Sequence, residues 1–239
     1  MESPTLPQST SDRYPRVASL LHTIILLAVL GVWAFMAKIF TDHLSAATHP
    51  SRVRMYLLTI CMEWFVFGLV VAGVRLSGAS LLLVLGDHWQ SGRQVLRDIG
   101  IALGFWMVAA GVLWVIGWLL RIKGPAHNMQ LMLPHGGVEV TVWIAMSVTA
   151  GICEETIFRG YLQRQFMALT KSAPAGILLS ALAFGGAHAY QGFRFVILIS
   201  VFGAMFGILA YWRGTVRPGM MAHAWQDSLG GVLGNLAKH

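Results

Sequence analysis

Read for hydropathy, the chain is a succession of long apolar runs separated by short polar turns. Runs of the length that crosses a bilayer, about 20 residues, stand at 18–40, 55–74, 99–120, 138–158, 173–188, 193–212 and 218–236. The segment SLLLVLG, 80–86, is too short to span and reads as an interfacial or re-entrant piece, or as part of an eighth crossing. The pattern predicts an all-α fold, a polytopic transmembrane bundle of seven to eight helices. The first run exceeds the 7–15 residues of a signal-peptide core, so it is expected to be retained as a helix despite the small residues near Ser45, Ala46 and Ala47. Residues 1–16 are polar with three prolines and read as a flexible tail. The polar loop 121–137 then divides the chain into N-terminal transmembrane helices, 17–137, and a second half, 138–239, that carries the chemistry.

Composition strengthens the membrane reading. Charged residues are 11% of the chain, against roughly a quarter in a soluble domain, and the mean hydropathy is +0.65. The net charge of +7 raises the question of nucleic acid. The basic residues are scattered over short loops without a cluster or nucleic-acid motif, so membrane lipids with anionic headgroups explain them better. With the N-terminus inside, nine basic residues fall on inner segments and seven on outer ones, too even a split to fix orientation. Cys61 and Cys153 fall inside predicted spans and read as packing residues, not as a disulfide framework.

Against this background, CEETIFRGYL, 153–162, places two acids and an arginine in an apolar helix. A charge near the bilayer centre costs about 2.5 to 3.5 kcal/mol even on lenient scales, so such residues face a protein interior or a wet cavity. Glu155 and Arg159 stand four apart in the favourable order for a same-face ion pair. Glu154 is about 100° around an α-helix from Glu155 and needs another partner. His188 follows the small residues Ala183, Gly185, Gly186 and Ala187, which allow a neighbouring helix to approach closely. A reversal near 170–174 sets Glu154 and His188 roughly 24 and 21 Å from the turn, at similar depth. In the last run His223 and Asp227 lie one above the other, about 8 and 14 Å from that side. They share the depth of Glu154 only if the helix beyond Gly160 leaves the bilayer. Taken singly, His188 reads as a hydrogen-bonded packing residue and His223 with Asp227 as an ordinary buried pair; the acids and histidines together predict one polar site.

The motifs EETIFR (EExxxR), FGGAH (FxxxH, through Phe184 and His188) and HAWQD (Hxxx followed by an acid or amide) resemble, in order and spacing, the CPBP family of intramembrane proteases. That family includes Rce1-type CAAX prenyl endopeptidases and bacterial Abi proteins. FGAMFGILAYWRGTVRPGMMAH also resembles its Gly-rich helix, basic turn and approach to the last histidine. The similarity covers about 140–236. It implies an intramembrane endopeptidase in which Glu154 is the general base, His188 its partner, His223 and Asp227 the transition-state donors, and Glu155 with Arg159 the supports. Many relatives carry asparagine where this chain has Asp227; a carboxylate cannot donate unless protonated, so Asp227 instead orients His223 or binds a metal.

The implied substrate is a membrane-associated peptide or protein, cut near a C-terminus that is lipidated in CAAX clients. No cofactor is required on this reading. Zinc held by Glu154, His188 and His223 is the alternative, although HExxH is missing. A thiol mechanism through Cys153 has nothing to place the sulfur near His188. Other function classes are a non-catalytic membrane scaffold or immunity-type protein and a proton-coupled carrier. The expected location is an integral, multi-pass position in a bacterial inner membrane.

Overall fold

The computed structural model describes residues 14–46, 51–124 and 126–236. Most of the expected N-terminal tail, 1–13, lies outside the described residues, as does Ala47.

Helices stand under all seven apolar runs: α1 (Leu20–Ala46), α2 (Arg52–Leu76), α4 (Gly92–Leu119), α6 (Gly137–Glu154), α8 (Ala173–Ala187), α9 (Phe193–Arg213) and α10 (Arg217–Leu236). The helix begun by α6 continues without a break through a π-helical segment, Glu155–Leu162, into α7 (Gln163–Thr170). Among the described residues, five stretches are long and apolar enough to cross a membrane: 20–42, 52–76, 92–119, 137–170 and 193–213. Their outward faces carry large apolar side chains that water would not tolerate, among them Phe35 at 66% exposure and Trp114 at 74%. Lipid is the solvent for such a surface. The protein is an integral membrane protein built as a helical bundle.

The short apolar segment is resolved as α3 (Leu81–Leu85), five residues long. At about 1.5 Å per residue it crosses nothing. It packs on the π-helical segment instead, with Val84 fully buried, and the Leu85 carbonyl accepts from Thr215 Oγ1 at 2.8 Å. The 121–137 loop contains one further short helix, α5 (His127–Met132).

The chain reverses at Lys171, which takes the left-handed conformation (φ 56°) that ends a helix, and Ser172 caps the next one by accepting from the Ala175 N–H. The stretch 137–170 is 34 residues, roughly 50 Å if helical throughout, which exceeds a hydrocarbon core of about 30 Å. Its far end therefore extends past the core.

Close helix contacts fix the frame around the second half. α6 packs against α2 and α10, α8 against α9, and α4 against α10. At Gly151 a Cβ would stand 2.6 Å from the Met220 carbonyl oxygen, so only glycine lets α10 lie this close to α6. Gly185 serves α8 and α9 in the same way, where a Cβ would stand 2.7 Å from the Val196 carbonyl. Trp106 Nε1 donates to Gln226 Oε1 at 2.7 Å and Trp143 Nε1 to the Asp227 carbonyl at 2.9 Å, which pin α10 from two sides. The entry to α1 is tied to α7 through Gln165, whose Oε1 accepts from the Val17 N–H at 2.8 Å.

The cysteines separate. Cys153 is buried, but Cys61 is exposed on α2, contrary to its expected packing role. Exposure there needs no partner, because a thiol is apolar enough for a lipid-facing surface.

Candidate active site

Local structure departs from a plain α-helix at Glu155. All eight residues from Glu155 to Leu162 are π-helical and all are buried. π-helical turns are rare, poorly paired and recur at functional sites. Here the segment carries the charged motif. Arg159 Nη1 approaches Glu155 Oε1 at 3.0 Å, with side-chain exposures of 1% and 0%. The expected ion pair is thus present and dry.

Aromatic rings wall it in. The Arg159 guanidinium lies 4.2 Å from the Phe184 ring centre and 5.1 Å from that of Phe206, a desolvated cation–π arrangement. Phe184 also meets the rings of His188 (4.8 Å) and His223 (6.0 Å) edge-on. The phenylalanine of FxxxH therefore supports the arginine and both histidines. Phe206 stacks on His223 at 5.3 Å.

His223 is the centre of the polar cluster. Its Nδ1 lies 3.1 Å from Glu155 Oε1. A carboxylate held by Arg159 only accepts, so Nδ1 carries the hydrogen and donates. The other nitrogen, Nε2, is 3.5 Å from Asp227 Oδ2 and 3.6 Å from Glu154 Oε2. Glu154 and Asp227 are part-exposed, at 18% and 39% of their side chains, in contrast to Glu155. The structure thereby brings Glu154, Glu155, Arg159, His223 and Asp227 together.

His188 stands apart from this contact set. Its Nδ1 donates to the Phe184 carbonyl at 2.9 Å, one helical turn back, which leaves Nε2 as the nitrogen able to accept. It lies within electrostatic reach of Asp227. Among the described residues its ring makes no ion-pair contact with Glu154, and the histidine beside that acid is His223. No three His, Cys, Asp or Glu side chains among the described residues are grouped as a metal ion would need. Of the alternative ligands Glu154, His188 and His223, the first and last are in contact at 3.6 Å and His188 stands apart from them.

Two residues outside the sequence motifs adjoin the site. Glu63, on α2, lies within electrostatic reach of Glu154 and Asp227. Its signal was present in the sequence as a lone acid in the middle of an apolar run. Tyr190, in the turn after α8, lies within reach of the same three acids, and burial pushes its phenol up to about 12, so it keeps its hydrogen at neutral pH. Only the fold could have pointed to it.

Residues 136–229 match the family model for type II CAAX prenyl endopeptidase Rce1-like proteins, a stretch that contains every residue of the cluster except Glu63. Over that segment, well under half of its length, the chain is similar to the Rce1-like family. That family is one of CAAX-type proteases, and the matched segment of this chain runs through apolar helices. No curated protein and no solved structure matches the chain.

Proposed function

We propose that this Rce1-like protein is an intramembrane endopeptidase that hydrolyses a peptide bond of a membrane-associated or C-terminally lipidated, CAAX-like substrate through water activated by Glu154. The observation that supports this most is the division of labour around His223. Glu155, itself held by Arg159, occupies Nδ1 from the dry side, while Nε2 faces the two acids that remain open to a ligand.

The chemistry follows from that division. Glu154 takes a proton from water as its oxygen adds to the scissile carbonyl, and returns it to the leaving amine when the C–N bond breaks. His223, when protonated, donates through Nε2 to the developing oxyanion. Such a donor is worth far more in a water-poor cavity than in bulk solvent. Asp227 orients His223 from the same side, and His188 adds a second imidazole near the open acids. Glu155 is too deeply buried to meet a substrate and acts by holding the ring of His223. The proposed location is the bacterial inner membrane.

The test is reconstitution of the purified chain in liposomes with CAAX peptides, prenylated and unprenylated, and with a membrane-embedded peptide. Cleavage in ¹⁸O-water is read by mass spectrometry, with and without chelator. The expected result is one ¹⁸O atom in the new carboxyl and no effect of chelator. Failure to cleave any of them, with cellular function retained by Glu154→Gln, would replace the protease by a scaffold.

A further inference from the structure

We propose that Glu63 is a water-positioning carboxyl of the active site, holding the attacking water opposite Glu154. This rests on the protease reading above. Glu63 lies on α2, outside the matched segment, but α2 packs directly on α6 and so brings this side chain toward the cluster.

Three observations carry it. Glu63 is half-buried as a residue, yet its Oε2 is buried and has no hydrogen-bond partner among the described residues. The charged and titratable groups within electrostatic reach of it are Glu154 and Asp227, Cys153 and Tyr190. Glu63 forms no ion pair among the described residues, so its carboxyl is not held by a structural counter-ion. A buried polar oxygen without a partner is costly. The donor it lacks has to come from something the site binds.

Water fits that requirement. It carries two O–H groups and an oxygen lone pair. One O–H donates to Glu154, which removes that proton as the oxygen attacks. The other donates to Glu63, and the lone pair is then directed to the carbonyl carbon. The O–C bond forms, the C–N bond breaks, and the proton on Glu154 passes to the amine. The hydrogen held by Glu63 stays on the oxygen that becomes part of the product carboxyl. Glu63 transfers no proton. It accepts a hydrogen bond whether ionised or neutral, since the carbonyl oxygen of an acid also accepts.

The experiment compares wild type, Glu63→Gln and Glu63→Leu in liposomes, on whichever peptide the wild type cleaves. Initial rates are measured together with thermal unfolding. Glu63→Gln keeps an accepting oxygen and should remain within about tenfold of wild type, while Glu63→Leu should lose about 100-fold in kcat with little change in KM. Glu63→Leu should also unfold at the same temperature or higher, because it removes a buried oxygen without a partner. Wild-type kcat in Glu63→Leu would overturn the proposal, and so would a loss of activity matched by a loss of thermal stability. If the wild type cleaves and Glu154→Gln does not, such a result would leave the protease reading intact. A wild type that cleaves nothing would remove both.

Discussion

The two sides of the His223 ring are built from the same chemical groups and have opposite characters. On the Nδ1 side, Glu155 is fully buried, ion-paired to Arg159 and walled by phenylalanines. On the Nε2 side, Glu154 and Asp227 are part-exposed and make no contact with a guanidinium or ammonium among the described residues. Adjacent glutamates thus differ in environment more than in sequence. Burial makes one a structural clamp and leaves the other available to a substrate.

The clamp side should give the largest effect when broken. Arg159→Ala strands Glu155 as an unpaired buried acid, which should lower stability by about 3 to 5 kcal/mol and remove activity with it. Thermal unfolding and folded yield in detergent check this. Wild-type stability would mean that the Nδ1 side is wet and the contrast between the sides is false.

Moving the helices that carry the two sides should act next. Gly151→Ala places a Cβ against the Met220 carbonyl, and the overpacking should cost about 1 to 3 kcal/mol. Because α10 carries His223, activity should fall further than the stability change alone explains. Activity and unfolding measured on the same samples separate the two effects.

The smallest effect is expected on the open side, at Asp227. Asp227→Asn keeps a hydrogen-bonding side chain that can still orient His223, so hydrolysis should survive with metal content unchanged. A joint loss of activity and bound zinc, measured by elemental analysis, would turn Asp227 into a ligand and break the account of this side.

Much of this was legible in the sequence because it follows from spacing alone. The seven apolar runs became seven helices, the i, i+4 spacing of Glu155 and Arg159 became an ion pair, and the reversal near 170–174 fell at Lys171. His223 and Asp227, four apart, do lie on one face. What was not legible depends on contacts between distant segments. Glu155 and His223 are 68 residues apart, and their contact requires the close approach of α6 and α10 at Gly151. Neither the π-helical turn nor the burial of all eight of its residues is encoded by periodicity. The expected partnership of Glu154 with His188 came from the family resemblance, and similar depth along the helices only permitted it. Depth does not fix which helix comes nearest, and His223 on α10 is the histidine found beside Glu154. Glu63 carried the signal of a lone intramembrane acid, but its link to the site appears only once α2 packs on α6.

The most direct measurement is the rate of peptide hydrolysis by purified Glu154→Gln beside Glu155→Gln and wild type, with thermal unfolding of all three. Glu154→Gln should lose about 10²- to 10⁴-fold in kcat with an unchanged unfolding temperature. Glu155→Gln, by contrast, should lose stability along with activity, because Arg159 is left buried without its counter-ion. Normal turnover by Glu154→Gln would contradict the assignment of Glu154 as the base, and with it the central claim.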